Sequence, residues 1–259
     1  MGQTRPVTRV VIIGGGPGGY EAALVARQLG ADVTIVESQG LGGSAVLTDV
    51  VPSKALIAVA EAAIDTRTAG VIGVHATDVT VDLGDINDRL RKWAASQSAD
   101  ITERMQAVGV RVIAGWGSLA SPSAVSVARA DGGQEELEAD VILLATGARP
   151  RILDSAVPDG ERIMTWEQIY SLDELPERLI VVGSGVTGAE FAGAFQALGS
   201  DVVLVSSRDR VLPGEDSDAA EVIEKVFRAR GMTVQGRSRA ESVTRTESGV
   251  AVTLSLIHI

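Results

Sequence analysis

Two short glycine motifs constrain the fold of this chain more than any other feature. Gly14-Gly15-Gly16-Pro17-Gly18-Gly19 and Gly183-Ser184-Gly185-Val186-Thr187-Gly188 both read G-x-G-x-x-G. Glycines so spaced make a tight turn that leads into a helix N-terminus, where a dinucleotide pyrophosphate can sit. The pattern by itself is weak: with 29 glycines in 259 residues, roughly 0.4 matches arise by chance. The flanking residues give it weight. Arg9–Ile13 is a β-branched run that reads as a strand, and Glu21–Leu29 is an Ala/Leu-rich helical stretch closed by Gly30. A second strand, Asp32–Glu37, ends in an acid placed to accept the ribose hydroxyls of the same nucleotide.

The second motif repeats this plan. Leu179–Val182 reads as a strand, Glu190–Leu198 as a helix closed by Gly199, and Asp201–Val205 as the next strand. Ser206 stands where the first motif has Glu37, followed by Ser207 and Arg208. A serine accepts an adenosine 2′-phosphate without charge repulsion, and Arg208 or Arg210 is available to pair with it. Both arginines read equally well as solvated surface charges. NADPH is therefore expected to be tolerated, with the preference between NADH and NADPH open.

These units imply an α/β fold with two Rossmann-like (doubly wound, three-layer) dinucleotide-binding domains, residues 1–152 and 153–259, the second incomplete. Between the motifs, Ser53–Asp65 is apolar on nearly every face and reads as a buried helix. Ile86–Val108 reads as a longer, more polar helix, with Asp88 and Lys92 one turn apart. Arg111–Ala114, Ala124–Ala128 and Val141–Ala145 read as the three strands of an antiparallel meander attached to the first unit. Pro150–Gly160, with two prolines, two aspartates and a glycine, reads as the connection to the second unit.

Composition narrows the chemistry. A net charge of −11 argues against nucleic acid and anionic membrane surfaces as partners. With no cysteine there is no disulfide framework, thiolate metal site or thiol nucleophile. The two histidines, His75 and His258, are too few for a histidine metal site or a triad, so no metal is expected, and His75 reads as a surface residue. No uninterrupted apolar stretch approaches ~18 residues, so no membrane span is expected. The first strand begins too early to leave room for a signal peptide, and a cytoplasmic protein is expected.

At Leu41 the sequence resembles the flavoprotein disulfide reductases (pyridine nucleotide-disulfide oxidoreductases, class I), the family of dihydrolipoyl dehydrogenase. The resemblance rests on Leu41-Gly-Gly-Ser-Ala-Val-Leu-Thr-Asp-Val-Val-Pro-Ser-Lys54, on Ala145-Thr146-Gly147, and on both glycine motifs with Glu37 and Glu190 in register. It implies that FAD binds the first motif, with Gly14, Gly16, Pro17, Gly19, Glu37, Gly43, Ser44, Lys54, Gly117, Thr146 and Gly147 as contacts. It implies that NAD(P)H binds the second, at Gly183, Gly185, Val186, Thr187, Gly188, Glu190, Ser206, Ser207 and Arg208. Lys54 alone reads as a snorkelling surface lysine, and Glu190 as an ordinary helix-surface acid. The resemblance instead pairs them as catalytic residues, with the ammonium stabilising the anionic reduced flavin.

One departure from the family is decisive for function. Family members carry a C-x4-C pair in this segment, and here those positions are Ala45 and Val50. Neither can form a thiolate, so dithiol–disulfide exchange is excluded at this site. The segment Gly42-Gly-Ser-Ala-Val-Leu-Thr-Asp49 also resembles the mycobacterial-type NAD(P)H:quinone reductase branch, which lacks the cysteine pair. The implied activity is hydride transfer from NAD(P)H through FAD to a diffusible acceptor, foremost a quinone. Two alternatives stand beside it: a soluble pyridine nucleotide transhydrogenase, and a non-catalytic FAD-binding redox sensor. Family chains are far longer and form homodimers, so a C-terminal truncation is expected. The closing Leu-Ser-Leu-Ile-His-Ile259 resembles a translated sequencing adapter, and the fragment alone is expected to bind FAD poorly and to lack steady-state activity.

Overall fold

The computed structural model describes residues 7–256. In chain order the first elements are β1 (Arg9–Ile13), α1 (Pro17–Gln28), β2 (Asp32–Glu37), α2 (Gly43–Leu47), α3 (Val50–Thr68) and α4 (Leu83–Ala107). The strands β3 (Arg111–Ser121), β4 (Ala124–Arg129), β5 (Gln134–Glu138) and β6 (Val141–Leu144) follow. The chain closes with β7 (Arg178–Val182), α5 (Val186–Leu198), β8 (Asp201–Val205), α6 (Ser217–Ala229), β9 (Thr233–Gln235), β10 (Ser238–Arg245) and β11 (Val250–Leu256). These form two compact units, one of residues 1–52 and 91–149, the other of residues 53–90 and 150–259.

The first unit is built on one sheet of order β5-β4-β3-β2-β1-β6. Strands β3, β2, β1 and β6 run parallel, while β4 and β5 return antiparallel. Period-two alternation gives the sheet two apolar faces. Ile12, Val33 and Ile35 are fully buried on one, against Ala23 of α1 and Met105 of α4. Val11, Ile13 and Val36 face the other way, against Val125, Val127 and Leu137 of the returning strands. Helices, sheet and meander are thus three layers.

In the second unit β7, β8 and β9 make a parallel sheet with α5 and α6 as crossovers. Its core gathers Phe195, Leu198, Val202, Leu204, Met232 and Val234, with Tyr170 edge-on to Phe191 at 5.9 Å between ring centres. The Arg67 guanidinium donates to the carbonyls of Ala197 and Leu198, satisfying acceptors at the C-terminus of α5. The strands β10 and β11 form a separate antiparallel hairpin. Asp159 anchors it: its carboxylate accepts three backbone N–H groups, of Glu161, Arg162 and Ile163, and pairs with Arg245.

The α/β class with Rossmann-like architecture matches the expectation from sequence; residues 53–90, expected in the first domain, group instead with the second unit, and several other details differ. Helix α3 is not buried all round: Leu56 and Ala60 are buried while Lys54, Ala58 and Glu61 are exposed. The meander is β3-β4-β5, and Val141–Leu144 is instead a parallel strand beside β1. Strand β5 escapes a hydrophobicity reading because Glu135, Glu136 and Glu138 surround its one buried residue, Leu137. Helices α1 and α5 begin at Pro17 and Val186, one turn before the apolar pattern starts, because the last glycine of each motif lies inside the helix. The final strand runs through Leu256, paired with Ser238, while His258 lies outside the described residues.

Candidate functional site

Each glycine in the first motif has a distinct geometric duty. Gly14 has φ +106°, and a Cβ there would lie 2.1 Å from the Ala145 carbonyl oxygen. Gly19 lies in the first turn of α1, and its Cβ would lie 2.0 Å from the Gly14 oxygen. Both positions admit only glycine, for conformation and close packing respectively. Gly16 differs: its φ of −69° suits any residue, and a Cβ would have only the Gly43 Cα near it, at 3.9 Å. The protein leaves that space open in front of the N-terminus of α1, which fits the approach of a pyrophosphate to the backbone.

The neighbouring segments converge on this loop. Gly43, at φ +56°, starts α2 with its Cα against Gly16, and exposed Ser44 follows. The Glu37 carboxylate accepts the N–H groups of Gly15 at 2.6 Å and Gln39 at 2.7 Å, so the acid also braces the loop. A Cβ on Gly15 would lie 2.3 Å from Leu41 Cδ2, so the buried leucine side chain would have to shift to admit one. Ala145 donates to the Ile13 carbonyl, which carries exposed Thr146 and Gly147 to the same rim. Gly117 lies with its Cα against Ile13 and Val36, the residues just before Gly14 and Glu37. The predicted contacts of the first site that fall in this unit therefore gather beside the C-terminal ends of β1, β2 and β6, with Gly117 in the middle of β3.

The second motif repeats the geometry. Gly183 has φ +115°, Gly188 would place a Cβ 1.9 Å from the Gly183 oxygen, and Gly185 would meet nothing within 4 Å. Val186 and Thr187 open α5. The rim, however, corrects the sequence reading of Ser206. That residue is fully buried, its Oγ accepting from the Ser184 hydroxyl at 2.7 Å and from the Arg208 N–H at 3.1 Å, and donating to the Arg210 carbonyl at 3.2 Å. It braces the loop as Glu37 braces the first one and offers nothing to a phosphate. Ser207 and Arg208 are exposed. Sequence reading also passed over Arg237, whose N–H donates to the Arg208 carbonyl at 2.7 Å and which holds a left-handed φ of 53°. Nothing in the spacing signals it, because it comes from the segment after β9.

Lys54 and Glu190 are brought together in the second unit. The ammonium lies 2.6 and 2.7 Å from the two carboxylate oxygens, with 54% and 29% of the side chains exposed. Lys54 sits one turn inside α3 and Glu190 one turn inside α5, so both are held by helix backbone. Ala45 is the third residue of α2 and Val50 the first of α3. Among the described residues no cluster of three or more His, Asp or Glu is placed to hold a metal ion, and His75 is exposed.

Two units, each with a parallel sheet and a glycine loop open in front of a helix N-terminus, define a Rossmann-type fold. The model for the pyridine nucleotide-disulphide oxidoreductases matches residues 8–256, and the chain belongs to that family. It is 51% identical over 260 residues to the NAD(P)H dehydrogenase (quinone) of Mycobacterium tuberculosis, covering 96% of this chain and 53% of that protein. It is 36% identical over 245 residues to the dihydrolipoyl dehydrogenase of Chlorobaculum tepidum, covering 95% of this chain and 52% of that one. The crystal structure of LpdA from Mycobacterium tuberculosis superposes with a TM-score of 0.89 at 51% identity, over 96% of this chain and 55% of that one. The flavoprotein disulfide reductase RclA from Escherichia coli, at 23% identity and TM-score 0.80, shares the fold. The chain spans about half the length of the curated relatives it matches.

Proposed function

We propose that this chain serves an FAD-dependent oxidoreductase that passes hydride from NAD(P)H to a diffusible acceptor, a quinone, without a redox-active disulfide. One observation carries the reading: both nucleotide loops keep their required glycines, yet the sequence has no cysteine and places Ala45 and Val50 where the family's thiol pair stands. Electrons reaching such a site have no thiol to enter and must leave on something that diffuses in. The name of the 51% identical relative supports the quinone as that acceptor.

The residues divide the work. Gly14 to Gly19 and Glu37 hold the flavin nucleotide by its pyrophosphate and ribose, and Gly183 to Gly188 hold NAD(P)H in the same manner. A bound flavin supplies the two-electron relay between the nicotinamide and the acceptor. Lys54, held by Glu190, would lend an ammonium that favours the anionic form of a reduced flavin, an electrostatic role that moves no proton. Exposed Ser207 and Arg208 would meet the adenosine 2′ position in place of a repelling acid, with Arg237 tied beside Arg208 by its backbone N–H, so NADPH is accepted alongside NADH. The complete protein acts as a homodimer.

The test is acceptor specificity in the protein encoded by the full-length reading frame. Flavin-loaded enzyme is expected to reduce menadione with NADPH and to leave lipoamide untouched. Ala45→Cys/Val50→Cys is expected to slow quinone reduction. Lipoamide turnover by the unaltered enzyme, or no quinone turnover, would overturn the proposal.

A further inference from the structure

Both glycine loops are pinned from behind in the same way. In the first unit the Gly42 N–H donates at 2.8 Å to the carbonyl of Gly15, the second residue of its motif. In the second unit the Leu212 N–H donates at 2.8 Å to the carbonyl of Ser184, the second residue of the other motif. Each donor follows a buried aliphatic residue, Leu41 in one case and Val211 in the other. Each also has a left-handed backbone, with φ +100° at Gly42 and +49° at Leu212. A peptide unit is planar and trans, so its carbonyl and its N–H point in opposite directions. Pinning the Ser184 carbonyl to Leu212 therefore turns the Gly185 N–H away from Leu212. Gly185 is the position where a Cβ would meet nothing within 4 Å.

The two donors differ in strain. Glycine adopts a left-handed backbone freely, whereas leucine does so only at a cost. Leu212 also precedes Pro213, and a residue before proline is pushed toward extended backbone. Such a conformation persists only where its surroundings over-determine it. Here they do. The carbonyl of Arg210 accepts the Ser206 hydroxyl at 3.2 Å. The N–H of Val211, which is fully buried, donates to Glu224 Oε2 at 3.1 Å. Glu224 is held in turn: its Oε1 accepts from Arg228 Nε at 3.0 Å and Nη2 at 2.8 Å. The same Nη2 donates to the Val234 carbonyl of β9 at 3.0 Å. A carboxylate suits this place because it can take a backbone N–H and a guanidinium at once.

We propose that Glu224, in the middle of α6, is a positioning residue for the second nucleotide site. By holding Val211 it keeps Leu212 in its strained turn, and Leu212 keeps the Ser184 peptide set so that the Gly185 N–H is offered to a pyrophosphate. This rests on the reading of that loop as the NAD(P)H site, and adds what holds the loop ready. Glu224 acts on the part of the site that both cofactors share, so its effect is equal for the two.

Calorimetry with NADP+ and NAD+ on the flavin-loaded protein reads this site without turnover. Glu224→Ala is expected to weaken both ligands on the order of tenfold, since only the fraction of molecules with the turn in place can bind. Glu224→Gln keeps an acceptor for Val211 and is expected to recover most of the loss. Leu212→Gly relieves the strain, so Glu224→Ala is expected to cost much less in that background. Hydrogen exchange separates positioning from general loosening: in Glu224→Ala the Leu212 N–H should exchange faster while the amides of β8 keep their parent rates. Parent affinity in Glu224→Ala, an equal loss in the Leu212→Gly background, or faster exchange throughout β8 overturns the proposal alone. Failure of the unaltered protein to bind either ligand overturns the site reading and the proposal with it.

Discussion

Gly16 and Gly19 are three residues apart in one motif, yet the structure gives them opposite consequences on replacement by alanine. At Gly19 the new methyl would sit 2.0 Å from the Gly14 carbonyl oxygen. Both atoms belong to backbone, so helix α1 must lift away from β1 by more than an ångström. Overpacking of this kind costs about 1–3 kcal/mol, which lowers the melting temperature by roughly 2–4 °C for each kcal/mol in a chain of this size. At Gly16 the methyl enters open space, and φ of −69° needs no glycine. A gain of ~0.4–1 kcal/mol from a stiffer unfolded chain is set against a loss of similar size, since alanine is a poorer helix N-cap. Stability is expected to stay within about 1 kcal/mol. Binding should do the reverse, because the methyl occupies the path of the pyrophosphate. Losing a charge-assisted backbone hydrogen bond costs about 1.5–3 kcal/mol, a weakening on the order of ten- to a hundredfold. Thermal melts followed by circular dichroism and ADP titration by calorimetry read the two quantities separately. A Gly16→Ala chain that binds ADP as tightly as the parent would refute the assignment of that open space.

Three further outcomes follow from the geometry. Ser206→Ala breaks a buried hydroxyl chain and strands the Arg208 N–H, so it should cost about 1–3 kcal/mol in a denaturant titration while leaving the preference between NADPH and NADH unchanged; a shifted preference would mean that Ser206 reads the nucleotide after all. Arg237→Ala should do the converse, weakening 2′,5′-ADP binding relative to 5′-AMP with little change in stability, and equal loss for both ligands would count against a 2′-phosphate contact. The carboxyl of Asp159 is held well below the usual carboxylate range, chiefly by the N–H groups of Ile163, Glu161 and Arg162. Its contribution is therefore full above pH ~4, the unfolded value, and declines as the pH falls toward the depressed folded value. Asp159→Asn should accordingly melt earlier than the parent at pH 7 and converge with it in acid, and a gap that stays constant down to pH 2 would remove Asp159 as its cause.

Local pattern was enough to reveal the two glycine loops, because each needs only a strand, a turn and a helix in sequence, and those signals lie within about thirty residues. The glycines at Gly14, Gly19, Gly183 and Gly188 were legible for that reason, and so was the loss of the thiol pair at Ala45 and Val50. The strand β5 was not legible, since Glu136 and Glu138 face solvent, Glu135 is paired with Arg111 and Arg129, and a single leucine carries its burial. The place of Val141–Leu144 was not legible either: its composition suits a meander or a parallel strand equally, and only the pairing of Val10 with Val141 decides.

Residue types and spacing along the chain thus determined two glycine loops of the dinucleotide-binding pattern, and the absence of a thiol pair at Ala45 and Val50. Tertiary structure decided which side chains remain free to act. Ser206 lies in the ribose-reading position by sequence but is consumed by Ser184, because a buried hydroxyl must be satisfied from within. The backbone N–H of Arg237 donates to the Arg208 carbonyl, and the Arg149 guanidinium lies over the Trp116 ring, each joining segments distant in sequence. Lys54 and Glu190, 136 residues apart, become an ion pair only when α3 and α5 present them to each other. Such contacts depend on where separate strands and helices end in space, and no local pattern carries that distance.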